Sequence, residues 1–79
     1  MKKRILVLFV DNSSGVLTRI SLLFSQKGFN ILSVTASVTC IPNISRLTIV
    51  TEGDESQISQ IIKQTLKLIE VRSVFLLNN

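Results

Sequence analysis

One short run near the start of the chain constrains the fold more than any other feature: all six residues of the segment ILVLFV, residues 5–10, are apolar. A strand with one solvated face alternates apolar and polar residues, so this run predicts a central strand near residues 3–10 with both faces covered. It is too short for the ~18 apolar residues that a transmembrane helix needs. Residues 11–15, DNSSG, then have the composition of a turn or a helix cap.

Two later stretches follow the helical period. After Gly15, apolar residues recur on one side of a predicted helix that Gly28 closes as its C′ residue; they are Val16, Ile20, Leu23 and Phe24, with Leu17 flanking. A second helix begins at Asp54, which has capping-box spacing to Gln57, and runs to about Lys67. Its predicted buried stripe comprises Ile58, Ile61, Ile62, Thr65 and Leu66.

The remaining segments alternate as strands do. Residues 30–39 place Leu32, Val34, Ala36 and Val38 on one face and serine or threonine on the other. Pro42 and Asn43 separate this segment from SRLTIVT, which predicts an antiparallel hairpin. A last strand is predicted over residues 69–77, after which Asn78 and Asn79 trail off.

The resulting order, β-α-β-β-α-β, predicts an α+β fold. Right-handed crossovers arrange these elements as a ferredoxin-like plait, a four-stranded antiparallel sheet with two helices on one face. Residues 1–79 form one domain in this prediction, with the second strand, near residues 30–39, at a sheet edge. A free edge can pair with the same strand of a second copy, which predicts a homodimer.

Composition excludes several kinds of site. The chain has no histidine and a single cysteine, Cys40, so a disulfide, a metal site or a Cys/His nucleophile lacks its second member. Arg19 and Asn30 are the residues that a phosphate-binding enzyme of this fold could use. No paired carboxylates, nucleophile and base, or phosphate-binding glycine loop supports catalysis, and we predict no catalytic residue, metal or cofactor.

The positive charges do not predict a nucleic-acid partner. The net charge is +4, but only Lys2, Lys3 and Arg4 are contiguous, which favours a solvated terminus. RNA-recognition motifs share the element order but stack bases on aromatic residues of the first and third strands, and SRLTIVT contains none. The six apolar residues before Asp11 are too few for a signal peptide, so we expect a cytoplasmic protein without a membrane partner.

The turn before the first helix is the candidate binding site. A helix N-terminus offers free N–H groups and a partial positive charge to an anion such as a carboxylate. Gly15 allows close backbone approach, while Asn12 and Asn30 supply both donors and acceptors. Helix capping by Asn12 or Ser13, and simple turn roles for Gly15 and Asn30, account for the same residues without a ligand.

Three segments closely resemble a known family: NSSGVLTRISLLFSQKGFNI, SRLTI and GDESQISQIIKQTLKLIEV. They are similar to the amino-acid-binding ACT domain of the small, regulatory subunit of acetolactate (acetohydroxyacid) synthase. The most specific parts are the Asn-x-x-Gly turn at residues 12–15, the run at residues 23–31, and residues 45–49. The resemblance covers nearly the whole chain.

The resemblance implies a site and partners. In that family two ACT domains pair side by side, and a branched-chain amino acid, typically valine, binds between the first loop of one and the edge strand of the other. The effector-site positions implied for this chain are Asn12, Gly15, Val16, Leu17, Asn30 and Ile31. The family's small subunit is not an enzyme; it binds a thiamine-diphosphate-dependent catalytic large subunit, raises its activity and transmits feedback inhibition.

Two alternatives remain open at this point. Many family members carry a second, C-terminal domain, so the chain is either a short-form subunit or a fragment. The second functional hypothesis is a ligand-independent ACT-type dimerisation module that activates or scaffolds a partner enzyme.

Overall fold

The computed structural model describes residues 2–77 and contains six elements in the predicted order. They are β1 (Lys3–Asp11), α1 (Val16–Gln26), β2 (Ile31–Val38), β3 (Ile44–Glu52), α2 (Glu55–Leu66) and β4 (Val71–Leu77). The predicted tail at Asn78 and Asn79 lies outside the described residues. Neither helix in residues 2–77 has the length and apolar character required to cross a bilayer.

The four strands form one antiparallel sheet in the order β2-β3-β1-β4. β1 lies in the interior of the sheet, where it pairs with β3 from Lys3 opposite Glu52 to Asp11 opposite Ile44, and with β4 on its other side. β2 and β4 are the edge strands. This arrangement confirms the predicted plait and the position of the second strand at an edge.

The core lies between one face of the sheet and both helices. Leu6, Leu8 and Val10 of β1 point into it and are completely buried or nearly so. The remaining members of the buried cluster come from both helices, β3 and β4: Val16, Ile20, Phe24, Leu47, Ile49, Ile58, Ile61 and Val71. Because α1 and α2 contribute to the same cluster, they cover the same face, as the sequence predicts.

The C-terminus of α1 is fixed by backbone geometry that requires glycine. Gly28 has φ of 82°, in the left-handed region, and donates its N–H to Ser25 O, while Phe29 donates to Phe24 O at 2.8 Å. These two bonds form a Schellman motif, and the rings of Phe24 and Phe29 meet edge to face with centroids 5.7 Å apart. The predicted C′ role of Gly28 is confirmed.

The N-terminus of α2 has the predicted capping box. Asp54 Oδ1 accepts the Gln57 N–H at 2.8 Å, and Gln57 Oε1 accepts the Asp54 N–H at 2.9 Å. Further along the helix, the hydroxyl of buried Thr65 donates to Ile61 O, so this polar side chain enters the core with its donor satisfied. Ile62 packs against the core, whereas Leu66, predicted to lie on the buried stripe, is 48% exposed.

The alternation predicted for β2 is wrong at its two ends. The pairing register with β3 shifts between Ile31 and Ser33, so a bulge places Ile31, and not Leu32, against the core. Leu32 is therefore 42% exposed, and Val38, at the far end of this edge strand, is 87% exposed. Val34, opposite buried Ile49, packs against the core as predicted.

The last strand begins two residues later than predicted. Residues 67–70 form a turn in which Val71 donates its N–H to Leu68 O. Ile69 lies on the outside of this turn and is 90% exposed, so its apolar character gave a false strand signal.

The face of the sheet opposite the helices, here called the outer face, is also apolar along β1 and β4. Ile5, Val7 and Phe9 are partly exposed on it, and Phe75 and Leu77 of β4 lie beside them. The two-sided apolar pattern of β1 thus corresponds to a core face and an outer face, and no element within residues 2–77 packs over the latter.

We expect Asp54→Ala to lower the free energy of unfolding by about 1 kcal/mol, because it removes the capping side chain from the N-terminus of α2. Ser56→Ala is the matched control, since Ser56 is exposed in the same turn and caps nothing. Urea denaturation followed by circular dichroism measures both. Equal stabilities of the two variants would show that the capping box contributes nothing.

Candidate functional site

The turn that follows β1 is held by backbone hydrogen bonds to two other loops. Asp11 donates its N–H to Glu70 O, and Asn12 donates to Asn43 O, both at 2.7 Å. Ser13 donates to Asp11 O at 2.9 Å within the turn. The bonds to Glu70 and Asn43 therefore hold the turn against the segments that precede β4 and β3.

The first turn of α1 leaves donors free. Gly15 is the N-cap residue, with φ of 85° and ψ of −4°, and no side chain caps the helix. The capping roles considered for Asn12 and Ser13 are thus not present. Within residues 2–77 the N–H groups of Leu17 and Thr18 have no hydrogen-bond acceptor. An uncapped helix N-terminus of this kind is suited to a carboxylate or another small anion.

A partly open cavity of about 240 Å³ lies beside these donors. It is lined by Val10, Asn12, Ser13, Gly15, Val16, Leu17, Thr18, Ala36, Ser45 and Leu47. Its walls are aliphatic residues, hydroxyl groups and one amide, and none of these side chains is charged. A ligand that carries charges would therefore be met by backbone N–H groups and by the Asn12 side chain, which is exposed.

The structure separates the predicted site residues into two groups. Asn12, Gly15, Val16 and Leu17 line the cavity, whereas Asn30 and Ile31 lie at the other end of β2. Ile31 pairs with Thr51 and Val38 with Ser45, so the two ends of β2 are six steps apart along β3, or roughly 20 Å. Asn30 O accepts the hydroxyl of Thr51 at 2.8 Å. Asn12 and Asn30 therefore cannot contact one small ligand within a single chain.

The charged residues near the turn are paired with each other. Arg19 on α1 forms a salt bridge with Glu70, and Arg72 Nε donates to Asp11 Oδ1 at 2.7 Å. Because Arg19 is paired and Asn30 lies at the other end of the sheet, the two do not form the phosphate site considered above. Within residues 2–77 no cluster of histidine, cysteine, aspartate or glutamate is suited to a metal ion.

Several cavity residues were not predicted from the sequence. Ala36, Ser45 and Leu47 come from the middle of β2 and the start of β3, and they reach the cavity because both strands run beneath the start of α1. Ser45 and Leu47 fall in the segment SRLTI, which resembles the ACT family but carries no predicted binding residue. Thr18 could have been found from its place in the first turn of α1.

Comparison with known families gives a match over most of the chain. The model of the AHAS small subunit-like ACT domain matches residues 6–73. The chain belongs to this family. The resemblance inferred from the Asn-x-x-Gly turn and the two longer segments is thereby confirmed.

Curated relatives carry the same domain. The acetolactate synthase isozyme 3 small subunit of Escherichia coli K12 is 49% identical over 72 residues, which are 91% of this chain and 44% of that protein. A probable acetolactate synthase small subunit of Archaeoglobus fulgidus is 50% identical over 74 residues, 94% of this chain and 46% of that protein. The chain thus spans about half the length of the curated relatives it matches.

Solved structures agree with the fold. The acetolactate synthase small subunit of Thermotoga maritima superimposes with a TM-score of 0.91 at 37% identity, covering 99% of this chain and 48% of that chain. The ACT domain of GTP pyrophosphokinase from Chlorobium tepidum has a TM-score of 0.79 at 13% identity, covering 95% of this chain and 96% of that chain. At 13% identity, the second match supports the fold alone.

We expect Gly15→Ala to lower the free energy of unfolding by about 1 kcal/mol, because its backbone is left-handed. A methyl group at this position would meet no atom within 4 Å, so the cost arises from backbone conformation and not from a clash. Ser14→Ala, at the exposed neighbouring position, is the control, with an expected change below about 0.5 kcal/mol. Similar urea midpoints for the two variants would contradict this.

Proposed function

We propose that the chain acts as the ACT domain of a regulatory, non-catalytic small subunit of acetolactate synthase in branched-chain amino acid biosynthesis. It binds a branched-chain amino acid at an ACT dimer interface, and valine is the ligand we favour. It modulates the catalytic large subunit, which is thiamine-diphosphate-dependent. Family membership over residues 6–73 supports the partner. The uncapped start of α1 beside an uncharged cavity is the observation that supports the ligand.

The chemistry of the cavity fits an aliphatic amino acid. The free N–H groups of Leu17 and Thr18 bind the carboxylate, and the Asn12 side-chain carbonyl accepts from the ammonium group. Val10, Val16 and Leu47 provide an apolar wall for a branched side chain. A ligand with a bulky or charged side chain would find no matching partner among these residues. The cavity therefore favours valine and the other branched-chain amino acids.

A second copy completes the site. β2 is an edge strand, and an antiparallel pairing of two β2 strands centred near Val34 places Asn30 of one chain opposite Val38 of the other. Val38 pairs with Ser45, a cavity residue, so the second chain's Asn30 and Ile31 arrive beside the cavity. The two ends of β2 are roughly 20 Å apart, so Asn12 and Asn30 of one chain do not reach the same small ligand, and the proposed site needs a homodimer.

Regulation follows from this placement. A ligand that spans two chains binds best to one arrangement of the pair, and it shifts the population toward that arrangement. Couplings of this kind are typically ~1–3 kcal/mol, or about 5- to 150-fold in affinity or population. The catalytic subunit responds to the arrangement that valine selects.

Calorimetric titration with valine tests the ligand. We expect saturable binding by the unmodified chain, and Asn12→Ala to weaken it at least tenfold because the ammonium group loses its acceptor. Ser14→Ala is the control, since Ser14 lies in the same turn but does not line the cavity. No binding of valine, leucine or isoleucine by a folded dimer would refute the effector role and favour the ligand-independent dimerisation module.

The dimer interface has a separate test. We expect Thr35→Lys to shift the chain from dimer to monomer in analytical ultracentrifugation, because two like charges meet near the centre of the paired β2 strands. Thr48→Lys is the control: Thr48 lies directly opposite Thr35, on β3, and therefore away from the edge. An undiminished dimer in Thr35→Lys would place the interface elsewhere.

A further inference from the structure

The outer face carries an apolar patch that lies apart from the cavity and from the edge of β2. We define the outer patch as Ile5, Val7, Phe9, Phe75 and Leu77. Phe75 and Leu77 are 53% and 46% exposed, and the rings of Phe9 and Phe75 meet at 84° with centroids 6.0 Å apart. Contiguous exposed apolar patches of this kind mark interaction sites in soluble proteins.

Pairing through β2 does not cover this patch. An added β2 strand extends the sheet in its own plane, so residues 2–77 of the second chain do not cover the outer face, and the two outer faces lie on the same side. In the paired sheet, β1 and β4 of each chain lie farthest from the two-fold axis between the β2 strands. Adjacent strands are about 4.8 Å apart, so the centres of the two patches are about 29 Å apart. The dimer therefore presents two symmetry-related apolar patches to a single partner.

The size of the face matches a protein interface only in the dimer. Four strands about 4.8 Å apart and seven residues long give a face of roughly 450 Å² per chain. Protein interfaces of standard size bury about 800 Å² per partner, and the paired eight-stranded face has a footprint of about 900 Å². Docking on the outer face thus depends on β2 pairing.

The charges around the patch select the kind of partner. Lys3 lies across from Glu52, and Asp11 is paired with Arg72. Arg46, on the same face of β3, has no ion-pair partner within residues 2–77, so it places one unpaired positive charge beside the patch. A partner with an apolar centre and an acidic group beside it complements this charge.

We propose that the outer face of the paired sheet is the surface that docks the catalytic large subunit. This inference rests on the proposed function, since it names the surface used by the partner proposed there. Apolar side chains of the large subunit pack against the outer patch, and its acidic groups lie near Arg46.

The test compares two double variants for binding to the purified large subunit of the same organism. Phe75→Ser with Leu77→Ser removes the two most exposed residues of the outer patch. Leu22→Ser with Ile41→Ser removes two side chains that are 55% and 59% exposed elsewhere on the surface. We expect the first pair to weaken binding roughly 30-fold or more and the second less than about threefold. Both retain valine binding, because neither touches the cavity.

Each outcome decides between the two proposals. If the unmodified chain does not bind the large subunit, the proposed function fails. If it binds and the Phe75/Leu77 variant binds equally well, the docking surface is wrong while the regulatory role stands. If ultracentrifugation finds that the unmodified chain forms tetramers, and the same variant reduces them to dimers, the patch is a contact between copies and the inference is overturned.

Discussion

The burial of β1 is the constraint on which the rest of the structure depends. Its Leu6, Leu8 and Val10 side chains are taken out of water by the helices, and each contributes about 2 kcal/mol in apolar burial. A strand buried in this way needs neighbours on both sides, and β3 and β4 occupy them. The remaining strand, β2, is thereby left at the edge, where its backbone is free to pair.

The end of the same strand sets the geometry of the candidate site. Asp11 and Asn12 are held by backbone hydrogen bonds to Glu70 and Asn43. Gly15 then turns the chain into α1 with a left-handed backbone, and this orientation leaves two N–H groups free beside the cavity. Backbone groups fixed in this way lose little conformational entropy when a ligand binds to them.

The outer patch is separate from the cavity and from the dimer contact, which adjoin each other under these proposals. The cavity lies on the helix side, the dimer contact lies at the β2 edge, and the outer patch lies on the opposite face. Val10 lines the cavity and its neighbour Phe9 belongs to the outer patch, so successive residues of one strand face the proposed ligand and the proposed partner. Under these proposals a change in the pairing of two chains alters the spacing of both patches, which is a physical route from effector to large subunit.

The sequence by itself determined the element order, the plait, the Schellman glycine at Gly28 and the Asp54 capping box, because periodicity and capping are local properties. It also located the cavity turn at residues 12–17. Tertiary structure decided the bulge at Leu32 and the exposure of Ile69 in its turn. It also decided which strand residues reach the cavity, namely Ala36, Ser45 and Leu47. Pairing register and the contacts of a helix with distant strands depend on residues far apart in the chain, and local patterns do not encode them. The same reason applies to Asn12 and Asn30. They fall in one segment of the sequence, but Asn12 lies beside the start of β3 and Asn30 beside its end.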